Sequence, residues 1–217
     1  MEAFIFDMDG VIIDSEPLHF EVDIHTMKHF GIEITQTELE RFVGMTNPEM
    51  WDILTREYQM RQSVSEIIEY QLSLKIERLR SLDIGPIDGI ANLISELKRF
   101  RIPMALASSS PRAFIMAVLQ KFGIVGEFAR IVSGEEVNKG KPAPDVYLEA
   151  AKLLEVRPGQ CVVLEDSMHG VAAAKAAGMK CIGFDNPNSG NQDLSNADVI
   201  VTSIRDIRVE ELLKQGD

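Results

Sequence analysis

Phe4-Ile-Phe-Asp-Met-Asp-Gly-Val11 is the stretch from which the rest of the chain can be read. Ala3 to Phe6 is a short apolar run, the pattern of a buried strand. It ends on two aspartates, Asp7 and Asp9, and Gly10 then permits a sharp turn. Side chains alternate along a strand, so a spacing of two puts both carboxylates on one side. Carboxylates so placed repel one another unless a cation or a shared proton holds them. A solvated acidic turn is the plain alternative. Three later stretches weigh against it: Leu106-Ala-Ser-Ser-Ser110, Gly140-Lys-Pro142 and Val162-Val-Leu-Glu-Asp-Ser167.

Beyond the first strand the pattern turns helical. Asp14 or Ser15, followed by Glu16 and Pro17, has the composition of a helix start. Phe20, Ile24, Met27 and Phe30 recur at helical spacing up to Gly31. Thr35 with Glu38 forms a capping box for a second helix, Pro48 opens a third, and a fourth runs from about Ser65. From Ile84 helices and strands alternate. Strands are expected at 103–107, 129–133, 160–164, 180–184 and 198–202, with helices between them and at the end. The expected fold is α/β: a doubly wound, mostly parallel sheet as a Rossmann-type core (residues 1–14 and 84–217), with a four-helix unit inserted over residues 15–83. In such sheets ligands bind beyond the carboxyl ends of the strands, where all four stretches fall.

Composition narrows the function. A chain of 217 residues with 45% hydrophobic content can bury a substantial core. Its net charge of −12 argues against nucleic acid and anionic membrane as main partners. Cys161 and Cys181 lie in apolar strand-like runs, as buried free thiols of a reducing compartment do. With the first strand starting at residue 2 and no apolar run of spanning length, the chain reads as a cytoplasmic protein, a monomer by default.

The residue types suggest phosphoryl chemistry. Asp7 is placed to attack phosphorus, and Asp9 to protonate the leaving oxygen and deprotonate the incoming water or alcohol. Glu165 and Asp166 add acid at another strand end, which implies a hard cation bound by oxygen; Mg²⁺ fits. The Ser108 hydroxyl could hold phosphoryl oxygens, and Lys141 could offset growing negative charge. Taken singly, Ser108 could be a helix cap and Lys141 an exposed loop lysine.

Asp7-Met-Asp-Gly10, Ser108, Lys141 and Glu165-Asp166 together resemble, in order, the four motifs of the haloacid dehalogenase superfamily. The resemblance implies Mg²⁺ held by Asp7, the backbone carbonyl of Asp9 and Asp166, with Glu165 acting through water. The helical insert is similar to the type-one cap of the β-phosphoglucomutase-like branch. In that branch, residues matching Ser15 and His19 couple cap closure to Asp9, and the loop Val43–Glu49, with Gly44, Thr46 and Asn47, contacts substrate. Ser110 and Arg112 fall where mutases hold a second phosphate, and Ser109 between them and Ser108 is expected among the substrate contacts. His19 is equally compatible with a packed or surface histidine, and Arg112 with a surface role at a helix start. The chain departs from the mutases at Asn47, where they carry arginine; an amide supplies neither the charge nor the bidentate fork. The nearest cap lysine, Lys75, reads as a solvated surface residue, and the 186–191 stretch as a surface loop. The expected activity is a Mg²⁺-dependent phosphatase acting on a small phosphorylated metabolite, a sugar phosphate above all. A mutase using the same phospho-Asp7 is the first alternative, and a non-catalytic phosphate-sensing or partner-binding module a remote one.

Overall fold

The computed structural model describes residues 1–42 and 46–214. Gly44, among the expected substrate contacts, lies outside the described residues. Contacts divide the chain into two units, Met1–Asp14 with Ile84–Asp217, and Ser15–Asp83.

The first unit is built on six parallel strands. They are β1 (Ala3–Phe6), β2 (Met104–Ser108), β3 (Arg130–Ser133), β4 (Cys161–Glu165), β5 (Lys180–Phe184) and β6 (Val199–Val201). Their order across the sheet is β3-β2-β1-β4-β5-β6, so the winding reverses beside β1. Every residue of β1, β2 and β4 is buried, because a parallel sheet is covered on both faces. One face packs Ala3, Ile5, Ala107 and Val163 against Tyr147 and Ala150 of α7 (Asp145–Leu153) and Val171 of α8 (Met168–Ala176). The other face carries Phe4 and Phe6, with Phe128 edge-on to Phe6 at 5.7 Å. Register pairs Phe6 with both Leu106 and Leu164, so the residues following β1, β2 and β4 emerge together at the switch point.

The remaining helices of this unit are α5 (Ile90–Arg99), α6 (Arg112–Phe122) and α9 (Val209–Lys214). α5 begins at Ile90. Gly89, at φ +95°, precedes it in the left-handed region, which ends the helix toward its N-terminus. Cys161 and Cys181 are buried free thiols, and burial pushes them up to about 11 and about 12.

The second unit contains α1 (Glu16–His29), α2 (Gln36–Leu39), α3 (Asn47–Glu57) and α4 (Val64–Ser81). Met27, Met50, Trp51, Leu54 and Ile67 close its core. Thr35 and Glu38 make the expected capping box, and Ser63 with Glu66 makes another for α4. Ser15 differs: it precedes α1 with helical backbone angles and makes no side-chain cap bond. Of the α1 stripe only Met27 is buried, Phe20 and Ile24 being half-buried, whereas Leu18, Val22, Asp23 and Thr26 are covered. No described helix is long and apolar enough to cross a membrane.

Candidate active site

The sheet delivers Asp7 directly after β1, where its N–H donates to the Leu164 carbonyl of β4 at 3.0 Å. Its carboxylate accepts from Lys141 Nζ at 2.7 Å, and the same ammonium donates to Glu165 Oε1 at 2.6 Å. Lys141 lies 4.8 Å from the centre of the Tyr147 ring, and the Tyr147 hydroxyl also donates to Glu165 Oε1, at 2.9 Å. Glu165 Oε2 accepts from the N–H groups of Asp166 and Ser167 and from the Ser167 hydroxyl. Both Glu165 oxygens are thus fully engaged by protein donors. Its primary work is to hold Lys141 against Asp7.

Electrostatics sort these groups. Burial pushes the Asp7 carboxyl up to about 7, with the charges of Glu165 and Asp9 adding to the rise and Lys141 opposing it. Burial also lifts Asp166 well above its ordinary value, reinforced by Glu165 and Asp7. Burial raises Glu165 too, but Lys141, the Ser167 N–H and Tyr147 outweigh it and hold that carboxylate below the usual range. Lys141 is lowered by burial yet raised overall by its two carboxylates.

Oxygens of Asp7, Glu165 and Asp166, all buried, lie within 4.8 Å of one another. With all three ionised, the cluster would carry two negative charges beyond the Lys141 ammonium; burial disfavours that state, and a bound divalent cation would offset it. An all-oxygen donor set suits Mg²⁺ over softer metals. The donor set therefore fits the cation.

Asp9 has a different environment. Its Oδ2 accepts from Ser110 Oγ at 2.7 Å and, weakly, from Ser108 Oγ at 3.4 Å. Ser108 is fully buried, and its Oγ accepts from the Ser110 N–H at 3.0 Å; it works as the cap of this turn as well as a neighbour of Asp9. The Ser133 hydroxyl at the end of β3 donates to the Ser110 carbonyl at 2.7 Å. Ser110, expected near a second phosphate, is a hydrogen-bond partner of Asp9 here.

Other expected substrate contacts are placed as follows. Ser109 is exposed just beyond β2. Arg112 donates to both oxygens of Glu136, at 2.6 and 2.7 Å, and to the Ile131 carbonyl at 2.8 Å, at the start of α6. In the helical unit Ser15 is buried and His19 half-buried. Thr46 completes a capping box for α3, donating to Glu49 at 2.8 Å. Asn47 exchanges hydrogen bonds with Gln71, at 2.7 and 3.2 Å, and Gln71 in turn donates to Asp23. Lys75 is not a solvated surface residue: it is 8% exposed, and its charge acts on the equally buried Asp23. A buried lysine needs such a carboxylate.

Sequence reasoning missed four contributors. Tyr147 falls in the apolar stripe of α7 and gives no separate signal. Gly170 does give one, an isolated glycine inside a helix: a Cβ there would stand 1.6 Å from Glu165 Oε1. Asn186 and Ser189 belong to the stretch expected as a surface loop. Asn186 is instead buried and donates to the Gly10 carbonyl at 2.9 Å, and Ser189 donates to Asp166.

An open parallel sheet with carboxylates and a lysine gathered at its switch point defines an α/β core with an acidic site at the carboxyl ends of its strands. A family model described as haloacid dehalogenase-like hydrolase matches residues 4–184, and this chain belongs to that family. It is 32% identical to the β-phosphoglucomutase of Bacillus subtilis, with 100% of this chain and 96% of the relative covered. It is 35% identical to a phosphorylated carbohydrates phosphatase of Thermotoga maritima, covering 84% of each. A bifunctional riboflavin kinase/FMN phosphatase of Arabidopsis thaliana is 34% identical over 95% of this chain, which spans 54% of that longer protein. Among solved structures, a HAD hydrolase of family IA, variant 3, from Entamoeba histolytica superposes with a TM-score of 0.86 at 28% identity, covering 99% and 98% of the two chains.

Proposed function

We propose that this chain is a Mg²⁺-dependent phosphatase hydrolysing a small phosphomonoester, a sugar phosphate in the first instance, through a phospho-Asp7 intermediate. The Asp7 carboxylate attacks phosphorus as the bond to the leaving oxygen breaks, and Asp9 delivers a proton to that oxygen. Water then attacks phospho-Asp7, giving its proton to Asp9 and releasing phosphate with Asp7 restored. Lys141 offsets the charge that grows on the phosphoryl oxygens. Mg²⁺ would be held by Asp7, Asp166 and the Asp9 carbonyl, supplying the charge neutralisation without which a carboxylate cannot approach a phosphate dianion.

The observation that carries hydrolysis over mutase chemistry is the setting of Asn47. Where the mutase resemblance requires an arginine, this chain has an amide engaged with Gln71, and the neighbouring Lys75 has its charge offset by Asp23. Such a polar, near-neutral group suits hydroxyls better than a second phosphate. The mutase remains the second reading because the Bacillus subtilis relative is one.

Phosphorus NMR separates the two. The full chain would be incubated with Mg²⁺, mixed sugar phosphates including β-glucose 1-phosphate, and a trace of its 1,6-bisphosphate. Growth of inorganic phosphate, abolished in a folded Asp7→Asn variant, is expected. Glucose 6-phosphate appearing at constant free phosphate would make the protein a mutase. Turnover retained by Asp7→Asn would remove the covalent mechanism from both.

A further inference from the structure

We propose that the Asn186–Ser189 turn is an outer-sphere part of the metal centre, in which Ser189 is a positioning residue that fixes Asp166 for a divalent cation. The turn follows β5, far in sequence from the first motif, and grips the site at two points. Ser189 Oγ donates to Asp166 Oδ2 at 2.5 Å, and Asn186 Nδ2 donates to the Gly10 carbonyl at 2.9 Å. The turn is also closed upon itself. The Asn186 side-chain Oδ1 accepts from the Asn188 N–H at 2.9 Å, and the Asn186 backbone carbonyl accepts from the Ser189 N–H at 3.1 Å.

Gly10 explains why these contacts belong together. Its φ of +73° lies in the left-handed region, and a Cβ there would stand 1.8 Å from Asp166 Oδ2 and 2.8 Å from Ser189 Oγ. The carboxylate–hydroxyl pair thus occupies the space that a side chain at position 10 would need. One Asp166 oxygen is tied by a hydroxyl whose own backbone is locked to Asn186, which restricts rotation of the carboxylate. A ligand restricted in this way loses less freedom when it meets a cation, and loss of such an outer partner weakens metal binding about 10–100-fold. The inference requires only that the acidic cluster bind a cation; it holds for a hydrolase and a mutase alike.

The test measures binding without turnover. The full chain, free of substrate, is titrated with Mn²⁺ and the free ion counted by its EPR signal, with Mg²⁺ added as competitor. Ser189→Ala is expected to raise the Mn²⁺ Kd at least about tenfold, and Ser189→Thr, which keeps the hydroxyl, to restore it. Asn186→Ala should shift Kd in the same direction by releasing the turn from Gly10. Wild-type affinity in Ser189→Ala would overturn the proposal, and so would a weakening that Ser189→Thr does not repair. A wild-type chain that holds no Mn²⁺, or an Asp166→Asn variant that binds it unchanged, would instead remove the cation from the proposed function itself.

Discussion

Replacing Lys141 by methionine keeps the volume of the side chain and removes the one cation that the structure puts between Asp7 and Glu165. The lysine side chain is 7% exposed and its partners 9% and 0%, so all three groups are shielded from water. Removing one member of a buried ion pair costs about 3–5 kcal/mol, because the partner's charge is left uncompensated. For a chain of this size each kcal/mol shifts Tm by about 2–4 °C, giving a loss of about 6–20 °C. Protons can partly replace the missing charge. Asp7 titrates at about 7 even beside the lysine, so the loss should be larger at pH 8 than at pH 5. The assay is thermal unfolding followed by circular dichroism at both pH values, with EDTA and then with excess Mg²⁺. Added Mg²⁺ should recover part of the loss at pH 8. An unfolding temperature equal to wild type in EDTA at pH 8 would refute the account of Lys141 as the buried counter-charge.

Wild-type stability should itself depend on pH in a direction opposite to that set by carboxylates whose folded-state value is lowered. Asp7 is raised from 3.8 to about 7, so the folded state holds a proton that the unfolded state has released. The stabilisation is complete below 3.8 and is lost as pH rises through about 7, a difference of roughly 4 kcal/mol for this one group. Unfolding in EDTA should therefore occur at lower temperature at pH 8 than at pH 5, with Mg²⁺ raising it more at pH 8 and Asp7→Asn flattening the profile. A temperature that rises across this range and ignores Mg²⁺ would count against it. Ser110→Ala removes the 2.7 Å hydrogen bond on Asp9. A bond to a charged acceptor is worth about 1.5–3 kcal/mol, so kcat should fall about 10–100-fold with KM little changed. Steady-state kinetics should show Ser110→Thr, which keeps the hydroxyl, restoring kcat. An unchanged kcat would remove Ser110 from the proton-transfer apparatus.

The fold was legible because its strands are short apolar runs ending in polar residues. Phe6 before Asp7, Ala107 before Ser108 and Leu164 before Glu165 each mark a strand end within a residue of where it lies. Parallel topology then does what local sequence cannot. With β2 and β4 on either side of β1, residues as far apart as Asp7, Ser110, Lys141 and Asp166 meet at one end. Interactions that depend on particular side chains across large separations were not legible. Nothing local to Lys75 predicts burial; it follows from Asp23 on another helix. Ser110 and Arg112 sit two residues apart at the start of α6, yet one turns to Asp9 and the other to Glu136. The resemblance could place both near a phosphate, but it could not say which carboxylate each side chain meets.

The acidic pair at the end of β4 has a requirement that reaches beyond the carboxylates themselves. Glu165 and Asp166 are adjacent and both buried, so each must find room within packed surroundings. Each finds it against a glycine. Asp166 occupies the Cβ position of Gly10, and Glu165 that of Gly170 in the first turn of α8. Glycine inside a helix costs about 1 kcal/mol relative to alanine, and Gly10 holds a left-handed φ open to few other residues. These two glycines are therefore best understood as part of the electrostatic centre. They let two carboxylates lie against backbone, where N–H groups, Lys141 and Ser189 can reach them, in place of the water that burial removes.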